Sequence, residues 1–253
     1  MPSFFIDPTE RVGNEITLTG DLHRHLTQSL RTKVGDSLLL TEAAVQRHTA
    51  RVTQIDRRQI RVQIESTIPC PPQSSVQVCL ASAILKHDPM DWAVQKATEL
   101  GVSAIQPLIT HRSAVRPDAE RGAAQRARWE RIAQEAAQQS ERWTIPAIAD
   151  PMTLTQWLAR MGTREDPTNL SIVLEERRSA QSLLSLPFPP KLQTVTILIG
   201  PEGGWEPSES DGLLARGVQP ASLGETILRA DTAAVTALAI VQARVNWGNG
   251  RAG

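Results

Sequence analysis

Cysteine is nearly missing from this chain of 253 residues: only Cys70 and Cys79 carry thiols, without a CxxC spacing or a nearby His pair. That scarcity argues against a disulfide scaffold and a structural zinc site, which need paired or clustered ligands, and points to a reducing, cytoplasmic setting. Long apolar runs are missing too. The most apolar stretch, residues 233–241, is interrupted by Thr236 and falls far short of a bilayer span. The N-terminus has no charged region followed by an apolar core, so neither a membrane segment nor a secretion signal is expected. Nor does one sign of charge dominate. With 27 Lys+Arg against 27 Asp+Glu and 40% hydrophobic residues, the composition excludes a disordered polyelectrolyte and a membrane bundle. A soluble globular protein of one large or two ordinary domains remains.

Balanced totals conceal distribution. Residues 1–73 hold nine Lys/Arg and eight Asp/Glu, whereas residues 147–253 hold nine and eleven. The early bases group as Arg24/Arg31/Lys33 and Arg47/Arg51/Arg57/Arg58/Arg61, enough for a local basic face of the kind phosphate contacts require.

The stretch Pro69-Cys70-Pro71-Pro72-Gln73-Ser74-Ser75 fits neither helix nor strand and reads as a linker, dividing a domain over 1–70 from one over 75–253. Before it, Ile60, Val62 and Ile64 alternate with Gln59, Arg61 and Gln63, as a half-buried strand requires. Residues 37–41 and 49–55 read similarly, and residues 21–30 read as a short helix. The result is a small β-rich domain of binding-module size. After the linker, strands expected over 76–85, 104–109, 170–174 and 195–199 alternate with helices starting at Asp88 and near Glu206, over about 121–140, and from Thr232 to about Asn246. That is the α/β pattern of a mainly parallel sheet. The last of these helices is apolar almost all round, which predicts cover from the core or from a partner copy.

Two turns stand out. Ile199-Gly200-Pro201-Glu202-Gly203-Gly204-Trp205 follows an apolar strand and precedes a helix. It lacks the Lys-Ser/Thr ending of a Walker A loop and the GxGxxG spacing of a Rossmann loop, which demotes ATP and NAD. Its glycines offer backbone that a ligand can approach closely. The second, residues 222–234, also joins a strand to a helix, with Asp231 placed to cap that helix and Arg229 two residues earlier. Alone, Arg229 reads first as half of a surface ion pair, and Glu202 equally as a helix-start carboxylate or a turn brace.

IGPEGG followed by LG…ILRADTAA resembles the C-terminal signature of the SPOUT methyltransferases, specifically the 16S ribosomal RNA (uracil-N3)-methyltransferases. Further matches are His25-Leu26, Leu30-Arg31, Gly35-Asp36, Asp91, Gln95-Lys96, Glu99-Leu100-Gly101, Arg112-Ser113, Glu135-Ala136 and Gln139-Ser140, so the resemblance covers nearly the whole chain. It implies a PUA-like β-barrel joined to a SPOUT α/β domain with a deep trefoil knot, and a homodimer with its active site at the interface. It also implies S-adenosyl-L-methionine bound by three loops: Leu174 and Glu175; Ile199, Gly200, Pro201, Gly203 and Gly204; and Ser222, Leu223, Gly224, Ile227 and Leu228.

The implied reaction methylates N3 of a decoding-region uridine in 16S rRNA of the small subunit or its precursor, without a metal. The N3 proton must leave or its anion be stabilised, for which Arg229 is the first candidate and Glu202 a possible proton acceptor. RNA contacts are expected from Arg24, Arg31, Lys33, Gln95, Lys96 and Arg112. Glu225-Thr226 replaces the family's usual Pro-Arg, Asp231 its commoner Glu, and Pro89 stands at an often basic position, so substrate contacts depart from the pattern more than cofactor loops do. Methylation of another base or of a ribose 2′-hydroxyl is an alternative within the superfamily. An RNA-binding or assembly protein with a vestigial pocket is the rival of another class.

Overall fold

The computed structural model describes residues 3–86, 88–161, 166–175 and 181–246. The chain forms two compact units, residues 1–73 with 137–145, and residues 74–136 with 146–253.

In the first unit, β1 (Ser3–Ile6), β2 (Arg11–Val12), β3 (Glu15–Leu18), β4 (Ser37–Glu42), β5 (Gln46–Ile55) and β6 (Ile60–Pro69) form one curled sheet in the order β1-β4-β5-β6-β3-β2. β1 runs parallel to β4 and the remaining pairs are antiparallel. Alternation builds the core: Ile60 and Val62 are buried with Ile16, Leu18, Leu38 and Leu40, while Arg61 and Gln63 point to solvent. The helix expected over 21–30 divides into α1 (Gly20–Arg24) and a single π turn (His25–Ser29), where Leu30 N–H donates to His25 O at 3.2 Å. The Thr27 hydroxyl donates to His23 O at 2.8 Å, a side-chain bond that competes with the helical ladder.

Arg47, grouped with the basic face in the sequence, is buried instead. It donates to Thr41 Oγ1 and to the carbonyls of Glu141 and Arg142, each at 2.9 Å, with its guanidinium 4.1 Å from the centre of the Trp143 ring. Burying a guanidinium is tolerable only when its donors are filled, and these contacts attach residues 137–145 to the first unit. Nearby, the buried Glu42 carboxylate accepts from Arg11 Nε at 2.7 Å and from Gln46 Nε2 at 2.7 Å, and lies 3.0 Å from His48 Nε2.

In the second unit, β7 (Gln77–Ala83), β8 (Ala104–Ile109), β9 (Ala147–Ile148), β10 (Met152–Thr153), β11 (Asn169–Leu174), β12 (Gln181–Ser182), β13 (Thr194–Ile199) and β14 (Gln219–Ser222) form an all-parallel sheet. The order is β10-β8-β7-β13-β11-β14-β12, with β9 beside β8. Its helices are α2 (Asp88–Glu99), α3 (Ala119–Gln139, ending in the first unit), α4 (Leu154–Arg160), α5 (Pro207–Ala215) and α6 (Ala230–Asn246). β13 is buried on both faces at Val195, Ile197, Leu198 and Ile199, as parallel sheets sandwiched between helices require.

On one sheet face α6 packs against β7, β13 and α2, burying Ala234, Ala237, Leu238 and Val241, so the core covers that part of the helix; Ala239 is exposed. On the other, Ala81, Leu108, Val173 and Leu198 pack against Leu154 of α4 and Leu213 of α5. α2 separates its faces as its spacing predicts, with Met90, Val94 and Ala97 buried and Trp92 and Gln95 exposed. Among the described residues no helix is long and apolar enough to cross a membrane.

Candidate active site

Parallel register decides where the two glycine turns emerge. Leu198 of β13 stands opposite Val173 of β11, and Ala221 of β14 stands opposite Leu174. β11 lies between the other two strands, so all three end at one edge of the sheet. Their loops leave side by side: Leu174-Glu175, Ile199–Gly204 and Ser222–Leu228. Glu175 N–H donates to Ala221 O at 3.1 Å, joining two of them directly. A crevice at the carboxyl ends of parallel strands is where open α/β sheets take ligands. A surface hollow bounded by Asn169, Thr194 and Arg216 opens at the starts of the same strands, at the opposite end from the two turns at Ile199–Gly204 and Ser222–Leu228.

The first glycine turn is held from outside. Lys86 N–H, from the segment after β7, donates to Glu202 Oε1 at 3.2 Å. From the segment after β8, His111 N–H donates to Glu209 Oε1 at 2.7 Å. Arg112 donates to Glu206 Oε2 from Nε at 2.9 Å and from Nη2 at 2.8 Å, and to Gly203 O from Nη1 at 3.0 Å. Two positions in the turn are crowded: a Cβ on Gly203 would sit 3.4 Å from Arg112 Cβ, and one on Gly200 would sit 3.0 Å from Trp205 Nε1. That indole N–H is buried and finds no acceptor among the described residues. At Gly204 and Gly224 the backbone has φ of +69° and +135°, and a Cβ added at either would meet nothing within 4 Å.

The second turn feeds directly into α6. Ala233 N–H donates to Arg229 O at 2.8 Å, so the helix starts at Ala230, one residue before the position expected of Asp231 as its cap. Asp231 instead sits in the first turn and accepts from Thr232 N–H at 2.7 Å, where a carboxylate favours the helix dipole. Ser222 Oγ accepts from Gly224 N–H at 3.2 Å. Ile227 is 57% exposed, Leu223 and Leu228 half-buried. Arg229 is exposed, and its guanidinium has no hydrogen bond or ion pair among the described residues. The bland reading of this residue, a surface ion pair, is not formed there.

The expected RNA contacts are divided between the two units. Arg24, in the first unit, pairs with Asp21; Arg31 and Lys33 are exposed, Arg31 with φ of +52°. Lys96 pairs with Glu99 at 2.7 Å, beside exposed Gln95. Arg112 is engaged by the glycine turn. Glu206 and Trp205 do not stand out as functional residues in the sequence: Glu206 looks like a helix start, and only the fold shows that it receives Arg112. Among the described residues no group of His, Cys, Asp and Glu could hold a metal ion.

Residues 72–242 match the RNA methyltransferase domain family, and residues 18–65 match the RNA methyltransferase PUA domain family. The chain is 31% identical to the ribosomal RNA small subunit methyltransferase E of Synechocystis over 94% of its own length and 76% of that protein. Among solved structures, it is similar to the ribosomal RNA small subunit methyltransferase E of Neisseria gonorrhoeae bound to S-adenosyl methionine, with a TM-score of 0.84, 31% identity, and 96% and 97% of the two chains covered. A putative methyltransferase of Legionella pneumophila with the bound cofactor gives 0.85 and 31%, covering 95% and 96%.

Proposed function

The chain belongs to the RNA methyltransferase family, and from that premise we propose that it transfers a methyl group from S-adenosylmethionine to N3 of a uridine in the decoding region of 16S rRNA. The observation that carries the reading is the shared edge at which β13, β11 and β14 deliver the two glycine turns. The residues fit that cofactor: Gly204 and Gly224 leave open space beside bare backbone, and a buried indole N–H at Trp205 has no acceptor among the described residues. Leu174, Glu175, Ile199, Gly200, Pro201, Gly203, Ser222, Leu223, Ile227 and Leu228 complete the proposed pocket.

When bound, S-adenosylmethionine supplies a methyl group on an electrophilic sulfonium. Among the described residues no donor of the Arg229 guanidinium is filled, so it can give two parallel hydrogen bonds to the uracil anion that develops over N3, O2 and O4. It cannot serve as the base. Glu202 holds Lys86 N–H on one carboxylate oxygen and keeps the other for the N3 proton. Alignment of N3 with the methyl supplies a further part of the acceleration, and the target uridine must be unpaired or splayed out to reach the site.

A homodimer with the site at its interface, a knotted threading of the second unit, the rRNA of the small subunit or its precursor as partner, and a cytoplasmic location belong to the same proposal. Small subunits from a strain lacking the enzyme, incubated with the protein and labelled S-adenosylmethionine, should yield N3-methyluridine on nucleoside mass analysis. A labelled 2′-O-methyl nucleoside or a different base would overturn the assignment. Absence of a heat of cofactor binding in calorimetry would overturn the enzyme reading altogether.

A further inference from the structure

The nine Lys and Arg residues of positions 1–73 divide by what their donors do. Arg11 and Arg51 bond Glu42 and Glu65 at 2.7 and 2.5 Å, Arg24 pairs with Asp21, and Arg47 is consumed inside the unit. Arg31, Lys33, Arg57, Arg58 and Arg61 are exposed, and their side chains have no hydrogen bond or ion pair among the described residues. Three of these five gather at one place, the tip of the β5–β6 hairpin and the start of β6.

Turn chemistry gives no reason for arginine there. Tight hairpin loops favour Gly, Asn or Asp, commonly at positive φ, yet Arg57 and Arg58 occupy the middle of this loop and neither has positive φ. Adjacent like charges repel, and among the described residues no acid pairs with them. The acid beside them, Asp56, accepts from Gln54 Nε2 at 3.0 and 3.1 Å and from Gln59 Nε2 at 3.4 Å. The loop is nevertheless braced. Asp56 N–H donates to Gln59 O at 2.8 Å, and the buried His23 ring holds Asp56 O at 3.0 Å through Nε2. A sequence that breaks a local rule without an internal gain marks a site whose partner lies outside the chain.

We infer that the hairpin tip, Arg57 and Arg58 with Arg61 beside them, is a grip for the phosphate backbone of RNA. The inference rests on the RNA reading above and deepens it by naming where the first unit takes hold. Guanidinium groups suit this task because each presents a planar fork to phosphate oxygens. Such contacts position the strand without reading its sequence.

The test is a fluorescence-anisotropy titration of the full chain with a labelled RNA fragment from the 16S decoding region, over a series of salt concentrations. Each lost phosphate contact removes about 0.7–0.9 from the slope of log affinity against log salt. R57A/R58A should therefore bind roughly ten- to a hundredfold more weakly at 0.1 M salt, with a slope shallower by about 1.5. R57K/R58K should recover most of both, and cofactor affinity should be unchanged in either variant. Wild-type affinity and slope in R57A/R58A would overturn the grip while leaving the RNA reading intact, as would a loss that lysine does not repair. A wild-type protein with no salt-dependent binding to the fragment would overturn the RNA reading itself, and the grip with it.

Discussion

Two arginines reach the edge where the parallel strands end, and their surroundings differ. Arg112, in the segment after β8, has three donors filled by Glu206 and Gly203. Arg229, at the end of the second glycine turn, has none filled among the described residues. By sequence, both are candidates for touching RNA or its reacting base. The difference teaches that an arginine's role depends on who already holds its fork: a satisfied guanidinium fixes the loop it grips, whereas the exposed Arg229 is the one left for the proposed charge that develops during reaction.

Substitutions can break or sharpen that contrast. The largest effect is expected from R229A, which should lower kcat by about 10²–10³, as loss of one oxyanion-type donor does, and leave cofactor affinity within about twofold. Single-turnover kinetics beside calorimetry measures the two separately, and equal losses in both would erase the distinction. R112A should do the reverse, weakening cofactor binding about tenfold, the size of one or two lost charge-assisted bonds, with a smaller change in the chemical step. Paired with E206Q in a double-mutant cycle, it should give a coupling energy; additive losses would show that Arg112 does not act through Glu206. G200A should cost about 1–3 kcal/mol of stability in urea unfolding, because the added methyl meets the ring of Trp205, itself packed within an apolar cluster.

The smallest effect on the site is expected from E42Q, which separates loss of the fold from loss of the pocket. Burial pushes the Glu42 carboxyl up, but donors from Gln46, His48 and Arg11 outweigh it and hold it below the ordinary 4.5. A carboxyl depressed in the folded state stabilises the fold above its unfolded value, and that contribution is lost as pH falls through the folded value. Thermal melts of E42Q should therefore show lower stability at neutral pH and a flatter decline below about pH 4.5. Cofactor affinity at pH 7 should stay at wild type. A decline as steep as in the wild-type protein would assign the acid limb to other groups.

Periodicity carries most of the fold because it reports a local constraint. β8 occupies 104–109 as its pattern predicts, and α3 runs 119–139 against an expected 121–140. The glycine turns are legible for the same reason, each lying between an apolar strand and a helix start. Hidden from inspection are contacts between distant residues. Arg112 and Glu206 stand 94 positions apart, and nothing local announces that one will spend its donors on the other. Arg47 reads as surface because it groups with Arg51, Arg57, Arg58 and Arg61 as a basic face, while the carbonyls and ring that bury it arrive from residues 141–143. The π turn is invisible because the apolar spacing of residues 21–30 alone fits an α-helix. The start of α6 differs from its expected place because Asp is a good cap by type, whereas Arg229 O takes the first helical bond.

The position of β13 sets the timing of assembly. It pairs with β7 on one side and β11 on the other, although both precede it in the chain. Until residues 194–199 insert, each of those neighbours keeps a raw edge, open to mispairing with other chains, and closing so distant a pairing is slow. The strand that heals the sheet is also the one that runs into Ile199-Gly200, so the proposed methyl-donor pocket waits on that closure, and acquisition of cofactor affinity during refolding is expected to track completion of the sheet.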